Sequence, residues 1–220
     1  MDLKNLLFES YEKNILERQG DIETRKDAHA IVAHIVNQIE NNKIKPIKSS
    51  DGTKIQYQFD LEPVSKKFLS TLNLVLIKDL KADYAARYLP DTKVLLLPIK
   101  SFKSANVNKL ALEVIKTKYQ DLFHEIVHYI DSEKYDVRKA YDTDDYVNTH
   151  PELNAYFHEV SSFFEKNKKL ISKDPIEFIK VFWKKLIETH SGDLKQLTDD
   201  NKKRLVKRIY QFHQQISQYQ

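Results

Sequence analysis

The stretch "LFHEIVHYID", residues 122–131, decides how the rest of the chain is interpreted. It places His124 and His128 four residues apart, with Glu125 directly after the first histidine. Residues four apart on a helix are neighbours, so both imidazoles can reach one ion. The pattern His-Glu-x-x-His should arise by chance roughly 0.02 times in a chain of this composition. The stretch therefore favours a metal-binding helix over an ordinary amphipathic one.

The apolar spacing around these histidines predicts a single helix over residues 108–131. At about 100° per residue, one side of this helix is apolar. Its members are Tyr119, Phe123, Ile126 and Ile130. Nearly the opposite side carries His124, His128, Asp121 and Asp131, with Glu125 at its edge. We therefore expect the apolar side to pack on the core while both histidines face a cleft.

The composition narrows the kinds of site that the chain can form. There is no cysteine, so disulfides and thiolate metal sites are excluded, and a metal site must use His, Asp and Glu. Only 3 glycines are present, which argues against Rossmann and P-loop proteins, whose phosphate-binding turns need them. The net charge of +4 is too small by itself to imply a nucleic-acid partner.

The N-terminal sequence and the hydropathy predict a cytoplasmic protein. The first residues, MDLKNLLFESYEK, carry Asp, Lys and Glu where a secretory signal would be apolar. No run of about 18 apolar residues occurs, so we expect no membrane-spanning segment and no membrane partner.

The order of predicted elements indicates an α+β fold. A short helix over 2–18 and a longer one over 22–42 come first. Four or five strands follow: a hairpin turning at Asp51-Gly52, a strand over 72–80, and a pair within 83–99 that turns at Pro90-Asp91. Further helices are expected over 151–168, 174–190 and 199–218. We predict a small, mostly antiparallel sheet, then the metal-binding helix and a helical C-terminal half.

A catalytic zinc site usually has three protein ligands and a water. Asp131 lies seven residues after His124, about 10 Å along the helix axis, so it fits better as a hydrogen-bond partner of a ligand imidazole. His150 and Glu152, on either side of Pro151 at the start of the next helix, are the other candidates. A first-turn glutamate also complements the helix dipole, so this position alone does not make Glu152 a ligand.

The two motifs "HEIVHYID" and "PELNAYF" together resemble those of zincin metallopeptidases of the gluzincin type. The pattern is most similar to ImmA/IrrE-like proteins, in which a helix with Glu-x-x-Ala follows the HExxH helix, and to phage-encoded predicted metallopeptidases. The resemblance covers roughly residues 72–168. It implies a zincin-like domain over 1–170 with N-terminal helices, and a helical C-terminal extension over 171–220 packed on it.

Carried over by position, the resemblance implies Zn²⁺ held by His124, His128 and Glu152, with Glu125 as the general base. Ala155 would pack closely beneath the site. Tyr156 stands where thermolysin-like enzymes have an aspartate, and Asp131 and Lys134 stand where metzincins have a glycine and a third histidine. Both subfamilies are therefore disfavoured.

The residue that would stabilise the oxyanion is less well defined by the sequence. Tyr156, His158 and Tyr146 are candidates for this donor. The chain has 12 tyrosines, so some must fall near any site, and each is more often a packing residue than a catalytic one.

Three functions remain open from the sequence. The first is a zinc metallopeptidase acting on a peptide or protein substrate. The second is a catalytically silent zincin-fold structural or interaction protein of a phage particle or other assembly, located in the host cytoplasm or the virion. The third is a peptidase directed at a DNA-bound regulator through the basic cluster of the last helix. That cluster contains Lys202, Lys203, Arg204, Lys207 and Arg208. A solvated basic face is its more ordinary interpretation.

Overall fold

The computed structural model describes residues 15–64, 71–82, 84–101, 106–134 and 149–217, without the side chains of residues 15–22, 150 and 191–193. Most of the first predicted helix, residues 2–14, and Tyr146 lie outside this part of the chain. Within it, the secondary structure is α+β, with a five-stranded sheet and six α-helices.

The helices lie in the predicted segments, with two differences: one predicted break is absent, and one predicted continuous helix is broken. They are α1 Ile15–Glu40, α2 Val107–Thr117, α3 Tyr119–Lys134, α4 His150–Lys166, α5 Pro175–Leu194 and α6 Asp199–Ser217. A short 3-10 helix, Lys168–Leu170, follows α4. The predicted break between residues 18 and 22 does not exist, because α1 runs through it.

The predicted single helix over 108–131 is wrong, since it breaks at Lys118. This residue has φ −108° and ψ 27°, which ends α2 one residue before α3 begins. Its ammonium group donates hydrogen bonds to the carbonyl oxygens of Ala85 and Pro98, both at 2.8 Å. Burial lowers the pKa of this amine. The break is thus stabilised by acceptors that are distant in sequence.

The sheet is mixed and has the strand order β1-β2-β3-β5-β4. The strands are β1 Ile47–Lys48, β2 Lys54–Asp60, β3 Thr71–Lys78, β4 Arg87–Leu89 and β5 Val94–Ile99. Three of the four pairings are antiparallel, as predicted, but β3 and β5 pair in parallel. The predicted turn between β1 and β2 is present, and Gly52 has the positive φ of 67° that such a turn requires.

The chain forms two compact units, Lys26–Asp136 and a second composed of Met1–Arg25 with Val137–Gln220. In the first, α3 packs on β4 and β5. Alternate residues of β2 are buried, as expected for a strand with one face on a core. The fully buried residues of this unit include Ile31, Ile35, Tyr57, Leu74, Leu97 and Phe123.

The second unit is a helical assembly of α4, α5 and α6. Its core is rich in phenylalanine. Phe164 and Phe182 stack with their ring centroids 5.3 Å apart, and Phe157 and Phe212 meet edge to face at 6.1 Å. The apolar side of α4 therefore packs with the helices that the sequence assigned to a C-terminal extension. The predicted domain boundary after residue 170 stays a prediction.

Candidate metal centre

Helix α3 brings the two histidines of the opening motif together. The Nε2 atoms of His124 and His128 lie 3.0 Å apart, and the two rings meet nearly edge to face. Both side chains are buried, with His128 only 1% exposed. The expectation that they face a cleft stays a prediction. The two buried imidazoles turn their Nε2 atoms towards each other. At this point they could share a proton or bind the same ion.

The position of α3 follows from its apolar residues and its N-terminal contacts. Phe123, Ile126 and Ile130 are fully buried, as the helical spacing predicts. The Tyr119 hydroxyl lies 2.9 Å from Nδ1 of His29, whose ring also packs on Phe123. His29 thus contacts the first two turns of the helix that carries the histidine pair.

Glu125 is half-buried and faces strand β4. Its Oε2 atom accepts a hydrogen bond of 2.7 Å from the backbone N–H of Tyr88. No residue of β4 was predicted to contact the motif. The contact depends on how the sheet and α3 pack together, which no local pattern in the sequence encodes.

Glu152 lies in the first turn of α4, directly after Pro151. Proline is tolerated here because the first N–H groups of a helix have no partner within it. The Glu152 side chain is only 2% exposed, which is unusual for a glutamate. A buried carboxylate is costly unless it is paired or bound to a cation. Burial therefore separates Glu152 from an ordinary solvated first-turn acid.

His124, His128 and Glu152 are all buried, and each offers an atom that could bind a metal ion. Two nitrogens bound tetrahedrally at ~2.05 Å to one zinc ion would be about 3.3 Å apart, close to the 3.0 Å between the two Nε2 atoms. Two imidazoles and a carboxylate are also a ligand set found in catalytic zinc sites. These residues therefore fit zinc, although the identity of the metal does not follow from them.

Asp131 and His150 are the other two candidates that the sequence offers for the third ligand. Asp131 is 2% exposed, so it is buried one turn beyond His128 and its carboxylate is not solvated. Its expected role as a hydrogen-bond partner of a ligand imidazole stays a prediction. His150 is the first residue of α4, and its side chain lies outside the described part of the structure.

Glu159 and His190 are two residues of the second unit that the sequence did not single out. Glu159 Oε2 lies 2.9 Å from His190 Nε2, and the His190 ring lies 4.3 Å from that of Tyr156. Glu159 is only 3% exposed. His190 has non-helical φ −132° and ψ 40°, which kinks α5. Glu159 and His190 each offer an atom that could bind a metal ion.

A sequence signal for Glu159 existed, but none existed for His190. Glu152, Tyr156 and Glu159 recur at i, i+4 and i+7, which puts them on one side of α4. His190 comes from α5, and only tertiary packing brings it to Glu159.

His158 lies about 120° around α4 from Glu152. It is fully buried, and its Nε2 atom is 3.5 Å from the guanidinium of Arg208. Arg208 also donates a 2.8 Å hydrogen bond to Asn154 Oδ1 and lies 4.1 Å from the centroid of the Phe157 ring. These contacts give His158 a place in the packing of α4 on α6. The catalytic roles of Tyr156 and His158 stay predictions.

The basic cluster of α6 is partly neutralised. Lys202 and Lys203 form exposed ion pairs with Asp199 and Asp200, each one turn earlier. Arg208 is engaged by Asn154 and Phe157. The positive charge of the cluster is therefore partly compensated by neighbouring side chains, which the sequence alone did not indicate.

Comparison of the chain with protein-family models, with curated proteins and with solved structures finds no match. The resemblance to zincins therefore stays a prediction from the two sequence motifs. In the part of the chain that the structure describes, no helix has the length and apolar character needed to cross a membrane.

Proposed function

We propose that the chain is a zinc-dependent metallopeptidase of the gluzincin type. The observation that carries this proposal is the buried pair of His124 and His128, with Glu125 next to the first histidine in sequence. Glu152, which is also buried, is the proposed third ligand. A structural zinc site is usually closed by four protein ligands, whereas three ligands leave a position for water and substrate. The ligand set therefore favours a catalytic site over a purely structural one.

The two histidines and Glu152 would hold the ion. When bound, zinc supplies a Lewis acid that polarises a carbonyl group and lowers the pKa of water towards 7. The chain contributes two neutral imidazoles and one carboxylate, so the bound site keeps a net positive charge. That charge favours a developing oxyanion.

Glu125 is the general base in this proposal. It takes a proton from the attacking water and gives it to the leaving amine nitrogen as the peptide bond breaks. Its hydrogen bond with the Tyr88 N–H occupies only one of about four acceptor positions of a carboxylate. The carboxylate can therefore keep this contact while it accepts the proton of a water.

A second candidate is a catalytically silent, metal-stabilised structural or interaction protein. The contact between Tyr88 and Glu125 favours it, because it gives Glu125 a role in holding α3 to β4 that requires no chemistry. The presence of a glutamate after the first histidine is thus not sufficient for catalysis. A metal site alone would serve this function equally well.

Hydrolysis of a peptide library by the zinc-loaded protein separates the two candidates. The peptidase predicts cleavage that is lost in Glu125→Gln, while zinc content stays at the wild-type level. Glutamine keeps an acceptor for the Tyr88 N–H but cannot serve as a base, which makes it the matched variant. A zinc-loaded wild type that cleaves no peptide, or cleavage that persists in Glu125→Gln, contradicts the proposed mechanism.

A further inference from the structure

Strand β4 lies at the edge of the sheet, next to the helix of the histidine pair. It pairs with β5 on one side, with Tyr88 opposite Leu95. The N–H of Tyr88 donates to Glu125 rather than to a neighbouring strand. This edge-strand donor is therefore occupied by a side chain of the proposed site.

Tyr88 is held against α3 at a second point. Its hydroxyl lies 2.9 Å from Oγ of Ser132, which is two helical turns beyond Glu125. Its ring meets that of Tyr129 edge to face, with centroids 5.9 Å apart. Burial raises the pKa of the Tyr88 phenol, so the group stays protonated. The backbone N–H and the hydroxyl group of Tyr88 are therefore both attached to α3, two helical turns apart.

The turn between β4 and β5 adds a third attachment to the same helix. The ammonium of Lys93 forms a 2.6 Å ion pair with Glu133, whose side chain is 15% exposed. Three polar contacts thus hold β4 and its turn on α3. Two of them lie at the end of the helix away from the histidine pair, and only the Tyr88 N–H reaches the motif itself.

We propose that Tyr88 is a positioning residue, whose backbone N–H holds the Glu125 carboxylate in the orientation needed for proton transfer. This inference rests on the proposed function. A glutamate side chain has three rotatable bonds, and a hydrogen bond to a charged carboxylate is among the stronger ones. The donor belongs to a strand anchored through Ser132 and Lys93, so the carboxylate is held by a rigid partner.

Loss of the Tyr88 N–H should change the kinetics in a way that a general loosening of the fold would not. Misplacing a general base lowers kcat, whereas substrate binding and KM change little. Loss of the donor should therefore lower kcat by about tenfold or more, at unchanged zinc content and similar KM.

Replacement of Tyr88 by its α-hydroxy acid tests this prediction, because the resulting ester lacks the N–H but keeps the side chain. The matched control is the same replacement at Leu89, whose N–H points to the opposite side of the strand by the alternation of antiparallel pairing. The expected result is a fall in kcat for the Tyr88 ester alone. Equal kcat values for the Tyr88 ester and wild type, or equal losses for both esters, would overturn the positioning role.

Hydrogen exchange of the Tyr88 amide, followed by NMR, gives a readout without activity. Protection should be lost in Glu125→Ala and retained in Glu125→Gln, whose side-chain oxygen still accepts. Unchanged exchange in Glu125→Ala overturns the inference while leaving the peptidase proposal intact. If zinc-loaded wild type cleaves no peptide, the proposed function and the catalytic part of this inference both fail, and protected exchange then marks a purely structural contact.

Discussion

The Nε2 atom of His124 lies 3.0 Å from the Nε2 atom of His128, one helical turn away on α3. At this separation, two neutral imidazoles must share one proton, or both nitrogens must accept a cation. Zinc binding requires the second arrangement, in which both nitrogens are deprotonated. The pair could therefore bind an ion, and the identity of the third ligand would decide what kind of site it forms.

Glu152→Ala should weaken zinc binding by about tenfold or more, because it removes the only carboxylate among the proposed ligands His124, His128 and Glu152. Glu159→Ala is the matched control: it removes another buried glutamate from the same side of α4. Titration with zinc against a competing chelator measures both affinities.

The outcome distinguishes the two possible ligand groups. Weaker binding in Glu159→Ala but not in Glu152→Ala would assign the metal to His124, Glu159 and His190. Loss of binding in His150→Ala with no effect of Glu152→Ala would show that the proposed third ligand is wrong.

Arg208→Ala should lower the free energy of unfolding by about 1–3 kcal/mol. It removes a hydrogen bond to Asn154 and a guanidinium that covers the ring of Phe157. Arg204→Ala, one turn earlier and exposed, should change it by less than about 0.5 kcal/mol. Urea unfolding of the two variants measures the difference. Equal effects would mean that Arg208 belongs to a solvated basic face after all.

Stability should fall at alkaline pH in part through Tyr57. Burial raises the pKa of this phenol to about 12, and its hydroxyl donates to Asn108 Oδ1 at 2.9 Å. Because the folded pKa lies above the unfolded value near 10, the contribution is complete below about pH 10. It is lost as the pH rises towards 12, since the unfolded chain releases this proton first.

The matched variant for this effect is Tyr57→Phe. It should be less stable than wild type by about 0.5–1.5 kcal/mol at pH 8, where only the hydrogen bond is lost. The difference in free energy of unfolding between wild type and Tyr57→Phe should narrow by up to about 1 kcal/mol between pH 9 and pH 11. Urea unfolding at both pH values checks this, and a gap that stays constant would exclude a raised pKa.

Features with a local cause could be predicted from the sequence. Apolar spacing located α4, α5 and α6 to within a few residues, and Asp51-Gly52 marked a turn because glycine adopts positive φ there without strain. The pairing of His124 with His128 followed from helical geometry alone.

Features that depend on packing between distant segments could not be predicted. The break at Lys118 is stabilised by carbonyl groups at residues 85 and 98. The parallel pairing of β3 with β5 skips over β4 in sequence order. The contacts of Glu125 with Tyr88 and of Glu159 with His190 join segments 37 and 31 residues apart, and no periodicity reports such contacts.

The amount of zinc bound per chain shows whether the histidine pair forms a zinc site. Elemental analysis after chelator treatment, reloading and removal of excess metal should find one zinc per wild-type chain. It should find none in the double variant His124→Ala/His128→Ala, provided that circular dichroism shows both proteins to be folded. A folded wild type that retains no zinc, or a double variant that retains as much as wild type, would rule out a zinc site at His124 and His128.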